Sequence, residues 1–385
     1  MTPANQRASG TPSSAVLPFF MDLVATALMA MLFSCAPAVL TGEGRNLPPA
    51  YGLKLMRPFA DTTLLTIPAE ANERSHGNKL TPRLGGSIPL WSAGALGLHP
   101  YLPATCGTLL FLASGLVLGR RLGGTRTAGL GLGCTYAGLF ATSTGCAVTW
   151  MPKPFDGIAL GFVGLASASV GAPVLLGIWS FLSLYTDERA AVSLCVVALL
   201  IFLIPHRSWV ERNRDWLALG LSVCAFVATR VVIAHWSGWR PPDMNDVLTS
   251  YAQSLSYLQW SAWLCAEGGW AVIGLAVFLL VRRRLLGEAA LFAVAVLLAV
   301  ASIGVVQDMS RAAAFCFPII PCALAILVRH NMRRMMAHAL AASAIVSLLA
   351  PNCDIVRGVA MTWVIPLPLK IAITLCEPPT ERALP

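Results

Sequence analysis

Ionisable side chains inside or at the rims of apolar stretches are the places where this sequence can do chemistry. Arg230, in TRVVIAHW, and Glu267, in the following apolar run, lie at similar depths within their segments. An ionisable group inside a membrane span costs about 2.5 to 3.5 kcal/mol on insertion scales, so it faces a cavity or a partner. One reading makes the two a structural pair or lets them snorkel. The other uses the guanidinium fork of Arg230 to anchor a phosphate. Asp156 in KPFDGIAL and the consecutive Asp187, Glu188 and Arg189 in LYTDERAAV bracket the apolar run 157–185. A lone aspartate before an apolar helix also reads as an N-cap, an account that does not extend to three successive ionised residues at a membrane edge. Asp308 and Arg311, in VVQDMSRAAAFCFP, have the spacing of a local i,i+3 salt bridge. The long polar interval 41–99 adds Glu43, Asp61, His76 and Arg83 and ends in the semi-apolar SIPLWSAGALGL. Loops of that length are functional or disordered rather than plain connectors.

These residues must be positioned by a membrane fold. The chain has 385 residues, 56% hydrophobic and 12% charged, with a mean hydropathy of +0.70. An ordinary soluble domain carries about 25% charged residues. The eleven cysteines fall mostly inside apolar runs, with no CxxC pair and no clustering with histidine. They read as small buried hydrophobes, and no metal site is expected. The net charge of +9 comes from short basic clusters beside apolar runs. That pattern orients a membrane protein, so nucleic acid is not an expected partner.

Apolar runs near 15–40, 101–119, 127–148, 188–205, 216–236, 262–281, 288–306, 311–328, 335–350 and 359–376 are long enough to cross a bilayer. The first is read as a retained span; MLFSC and APA supply only a weak signal-peptide reading. The clusters Arg120/Arg121/Arg126, Arg207/Arg212/Arg214, Arg282/Arg283/Arg284 and Arg329/Arg333/Arg334 should share the cytoplasmic face. They do so only if 157–185 enters and leaves on the outer face, as a hairpin of two short helices broken at Gly171, Ala172 and Pro173. The expected fold is all-α and polytopic, with about 10–12 transmembrane helices, a long first outer loop and that hairpin. A single helical domain at 15–376 lies between cytoplasmic tails at 1–14 and 377–385. The acids then gather on the outer face of what reads as a bacterial inner membrane.

A long acid-bearing loop after the first span, Arg83 six residues before Pro89, an FD pair at Phe155-Asp156, and short paired helices followed by a charged motif together resemble the GT-C superfamily of multispanning glycosyltransferases. The likeness covers roughly residues 15–205. It implies an inverting transfer of sugar from a polyprenyl-phosphate donor to an acceptor hydroxyl at the outer face, with membrane lipid and the lipid-linked sugar as partners. It also implies an acidic base in the first outer loop, where Glu43 and Asp61 are the contenders. Glu43 is flanked by Gly42 and Gly44 where that superfamily carries adjacent acids. Arg83, Arg189, Arg230 and Arg311 are the cations available to a leaving phosphate, with His76, Asp156, Asp187, Glu188, Glu267 and Asp308 as further substrate-binding candidates. Two other classes stand beside this one. A secondary transporter would use broken helices with charges in mid-membrane, and a surface-polysaccharide polymerase or ligase would draw on His76 and Arg83.

Overall fold

A computed structural model of the chain describes residues 13–35, 88–89, 92–93, 95–98, 102–145, 154–237, 257–304, 309–356 and 360–376. The helices are α1 (Ser13–Ala30, ending in a π-helical turn, Met31–Cys35), α2 (Leu102–Gly123), α3 (Arg126–Gly138), α4 (Phe140–Gly145), α5 (Pro154–Ala168), α6 (Pro173–Thr186) and α7 (Ala190–Leu203). They continue as α8 (Trp209–Ser237), α9 (Leu258–Leu264), α10 (Trp270–Arg282, preceded by a 3-10 turn at Glu267–Gly269), α11 (Leu286–Ile303), α12 (Met309–Ala314), α13 (Ile319–Arg329) and α14 (Arg333–Leu349). A two-stranded antiparallel ribbon, β1 (Asn352–Val356) with β2 (Ala360–Val364), and α15 (Leu367–Cys376) follow.

The fold is that of an all-α polytopic membrane protein. Among the described residues, five helices are long and apolar enough to cross a bilayer, and the bent pair formed by α9 and α10 makes up to six. The chain therefore contacts membrane lipid along its outer helices. The segment Met309–Arg329 is 94% buried inside the protein, whereas Trp209–Ile233 is 11% buried. The first is the central column of the bundle, and the second presents its apolar side chains to lipid. Between them the shorter apolar helices α5, α6 and α7 complete the core.

Small residues set how closely the helices meet. A methyl group added at Gly107 in α2 would lie 2.5 Å from the carbonyl oxygen of Gly157 in α5, and one at Gly161 would lie 2.5 Å from that of Gly107. Gly157 and Gly161, four apart, thus present a bare helix face against which α2 packs backbone to backbone. Beneath this contact Phe111 stacks on Tyr136 with centroids 4.6 Å apart, and Phe317 meets Phe111 edge-on at 4.8 Å.

The hairpin has the break its sequence announces. Gly171 adopts φ +100°, and Pro173 opens α6 at the first helical position, where its missing N–H costs nothing. At about 1.5 Å per residue each arm is about 21 Å long. The turn lies against the basic clusters: Arg121 Nη1 donates to Ala168 O at 3.1 Å, Gly171 N–H donates to Asp215 Oδ2 at 2.7 Å, and Arg207 pairs with the same Asp215 oxygen at 2.5 Å. Arg333 reaches to 3.5 Å from the place a side chain at Gly124 would occupy, Arg283 meets His330 at 3.4 Å, and Arg329 meets Glu288 at 3.6 Å. Arg120 and Arg126 both clamp Asp22, a buried residue of α1 that serves as a boundary anchor. The four basic clusters thus share one end of the bundle, which the parity of the apolar runs required.

Among the described residues, the five or six helices able to cross a bilayer are fewer than the roughly 10–12 expected. Helix α7, at 14 residues, and α14, at 17, stay short of a full span, and three further runs are broken, bent or partly extended. The run 127–148 is divided at Leu139, between α3 and α4, in a segment dense in glycine. The run 262–281 bends by 82° between α9 and the turn at Glu267. The run 359–376 is extended as β2 and then forms only the ten-residue α15. Pro366 lacks a backbone N–H and disfavours helix for the residue before it, so the helix starts after it. Ten residues are about half of what a membrane span needs.

Candidate functional site

At the end of the hairpin away from the basic clusters, three segments distant in sequence converge. Asp187 closes α6, and its Oδ1 accepts from the backbone N–H of Arg189 at 3.0 Å, the turn that aspartate forms with the residue two positions on. This turn points the guanidinium of Arg189 back across the hairpin. Arg189 Nε donates to Asp187 Oδ1 at 2.8 Å and Nη2 to Asp187 Oδ2 at 2.5 Å, while Nη2 also reaches Asp156 Oδ1 at 2.9 Å. Arg311, from the short helix α12, grips Asp156 with a bidentate fork: Nε to Oδ2 at 2.5 Å and Nη2 to Oδ1 at 2.6 Å.

Asp156 and Asp187 are fully buried, and Arg189 is nearly so. Among the described residues, the two carboxylates and two guanidiniums of this cluster balance in charge. The hydrogen bonds of the fork are of the charge-assisted, planar kind that guanidinium makes best. Arg189 also lies over the ring of Phe315, 5.3 Å from its centroid. Asp156 sits in the first turn of α5 and not before it, so the N-cap expectation is corrected: its carboxylate binds two arginines. Arg311 is joined to Asp156, 155 residues away in sequence; the expected i,i+3 pairing with Asp308 lies outside the described residues.

A second ion pair stands at the rim. Arg230, on α8, pairs with Glu188, next to Asp187 in sequence, and lies 5.5 Å over the ring of Phe226. The expected structural pair Arg230–Glu267 is not formed. Glu267 lies at the bend between α9 and α10, fully buried, where its Oε1 accepts from the backbone N–H of Phe140 at 2.6 Å. That N–H opens α4 and has no helical partner of its own, which is why a carboxylate suits it.

Of the residues singled out by sequence, Asp156, Asp187, Arg189 and Arg311 come together, Glu188 and Arg230 pair beside them, and Glu267 stands apart. Glu43, Asp61, His76, Arg83 and Asp308 lie outside the described residues. Sequence reasoning passed over Asp215, whose position amid the arginines of WVERNRDW marks it as their counterion. It also passed over Ser347, near the end of α14, and Asn352, at the start of β1, neutral residues that carry no signal by type or spacing. No group of three or more histidine, cysteine or acidic side chains able to hold a metal ion occurs among the described residues. Compared with protein-family models, curated proteins and solved structures, the chain has no significant match.

Proposed function

We propose that this protein is a glycosyltransferase of a bacterial inner membrane, its N-terminus and basic clusters cytoplasmic, which transfers sugar from a polyprenyl-phosphate donor to an acceptor hydroxyl at the outer face. The observation that supports this reading is the charge network at the end opposite the basic clusters. There Asp156, Asp187, Arg189 and Arg311 brace the mouth of the hairpin, with Arg230 beside them.

The two arginine sites differ in what they offer a phosphate. Arg189 and Arg311 are held by fully buried acids, so their role is to fix the mouth of the site. Arg230 is held by Glu188, whose side chain is 38% exposed, and water and ions can compete for that pair. Arg230 is therefore the guanidinium that a lipid-linked phosphate takes over. The acceptor oxygen attacks the anomeric carbon as Asp61 or Glu43 removes its proton, the carbon–oxygen bond to phosphate breaks, and polyprenyl phosphate leaves with its charge stabilised by the cation. Nucleic acid has no part in this reaction.

The test is transfer by the purified protein from a radiolabelled polyprenyl-phosphate sugar. Loss of the base, in Asp61→Asn or Glu43→Gln, lowers the rate by about 10² to 10⁴, and Arg230→Ala raises KM for the donor. Full activity in all three variants, or no transfer by the unmodified chain from any such donor, contradicts the reading. A second reading, a secondary transporter, is favoured by one feature, the 82° bend in the α9–α10 span with an acid at its corner. Uptake of solute into proteoliposomes without sugar transfer would select it.

A further inference from the structure

We infer that the bend around Glu267 is a binding site for a small hard monovalent cation, of which sodium is the test case. The inference rests on an excess of buried acceptors. Glu267 Oε1 takes the Phe140 N–H, but Oε2 is buried with no hydrogen-bond partner. Asn352, at the start of β1, donates through Nδ2 to Gly138 O at 3.2 Å, which fixes its amide orientation and leaves Oδ1 an acceptor that is buried and unpartnered. Ser347 Oγ is likewise buried and unpartnered, 1% exposed as a residue.

The three belong to one corner of the molecule. Gly138 and Phe140 flank the break between α3 and α4 and hold Asn352 and Glu267 respectively. A side chain added at Gly268 would lie 2.7 Å from Ser347 Oγ, so the residue after Glu267 packs directly on Ser347. Glu267 and Ser347 are each about 20 Å from the arginine end of their helices at 1.5 Å per residue, inside an apolar layer about 30 Å thick. Buried acceptors at that depth need donors or a cation. One carboxylate with neutral oxygens, and no thiolate or imidazole, is the donor set of a hard ion of single charge. Glu267 also holds φ +44°, a conformation costly for a residue with a side chain. The inference does not depend on whether the protein transfers sugar or moves a solute, because binding is read without activity.

The experiment is equilibrium binding of ²²Na⁺ to the purified full chain in nanodiscs, with choline chloride holding ionic strength constant, together with thermal unfolding in sodium and in choline. The unmodified chain should bind saturably, near one ion per chain, and melt at a higher temperature in sodium. Glu267→Gln should abolish both effects, and Ser347→Ala and Asn352→Ala should each weaken binding by about tenfold or more. If Glu267→Gln does not fold, the two milder variants decide alone: wild-type affinity in both overturns the site. Absence of saturable ²²Na⁺ binding, or a melting temperature that follows pH but not sodium, also overturns it.

Discussion

Asp156 concentrates the physics of this molecule in one side chain. With its carboxylate gone, the guanidiniums of Arg189 and Arg311 lose a common counterion that is itself fully buried. Removing one member of a buried ion pair typically costs about 3 to 5 kcal/mol. Asp156→Asn should therefore lower stability by about that amount, while Glu188→Gln, which alters a side chain 38% exposed beside Arg230, should cost less. Thermal unfolding of the two variants side by side checks this, and equal losses would refute the distinction between mouth and rim. His330 offers a pH test. Burial, then Arg283, lowers its pKa below the ordinary 6.5, Glu288 pulls the other way, and Arg329 adds to the lowering. The unfolded chain accepts a proton near pH 6.5 where the folded one resists, so stability should fall as pH drops through about 6.5 and level off below the folded value. His330→Gln should flatten that slope in melting curves taken between about pH 7.5 and 5.5. Asp156, Asp187, Arg189, Arg230 and Arg311 were legible in the sequence because each lies within or at the rim of an apolar run. Their partners were not: the bonds to Asp156 span 33 and 155 positions, and nothing local encodes them.

At the scale of elements, glycine decides which helices touch. Gly161→Val would push a branched side chain into the backbone of Gly107, an overpacking that typically costs about 1 to 3 kcal/mol. Gly220→Val in α8, where a side chain meets nothing within 4 Å, should leave the melting temperature nearly unchanged. A similar fall in both variants would mean that the contact of α2 with α5 is not what the glycines serve. The break of the hairpin could be read from length, parity and Pro173, because proline and glycine act locally. The breaks at Leu139 and before Glu267 have glycine beside them, Gly138 at the first and Gly268 with Gly269 at the second, but no proline and no parity argument to single them out. They arise where α3, α14 and the α9–α10 segment crowd one another, and a hydropathy pattern runs through them unchanged. The strand β2 escaped notice for the same reason, since an apolar stretch of that length does not declare whether it is strand or helix.

The whole molecule has two unlike ends. One gathers the four basic clusters, tied together through Asp215, Gly171, Glu288 and Asp22; the other holds the hairpin mouth and its paired charges. The rule that loops rich in arginine stay in the cytoplasm made this polarity readable in the sequence, and the helix packing supplies what the rule lacks, the contacts joining clusters far apart in the chain. The most direct test replaces the native cysteines, introduces Glu188→Cys and Arg283→Cys one at a time, and labels intact cells with a membrane-impermeant thiol reagent. Position 188 should label from outside and position 283 only after the membrane is opened. Labelling of both positions from the same side would contradict the architecture and the function proposed from it.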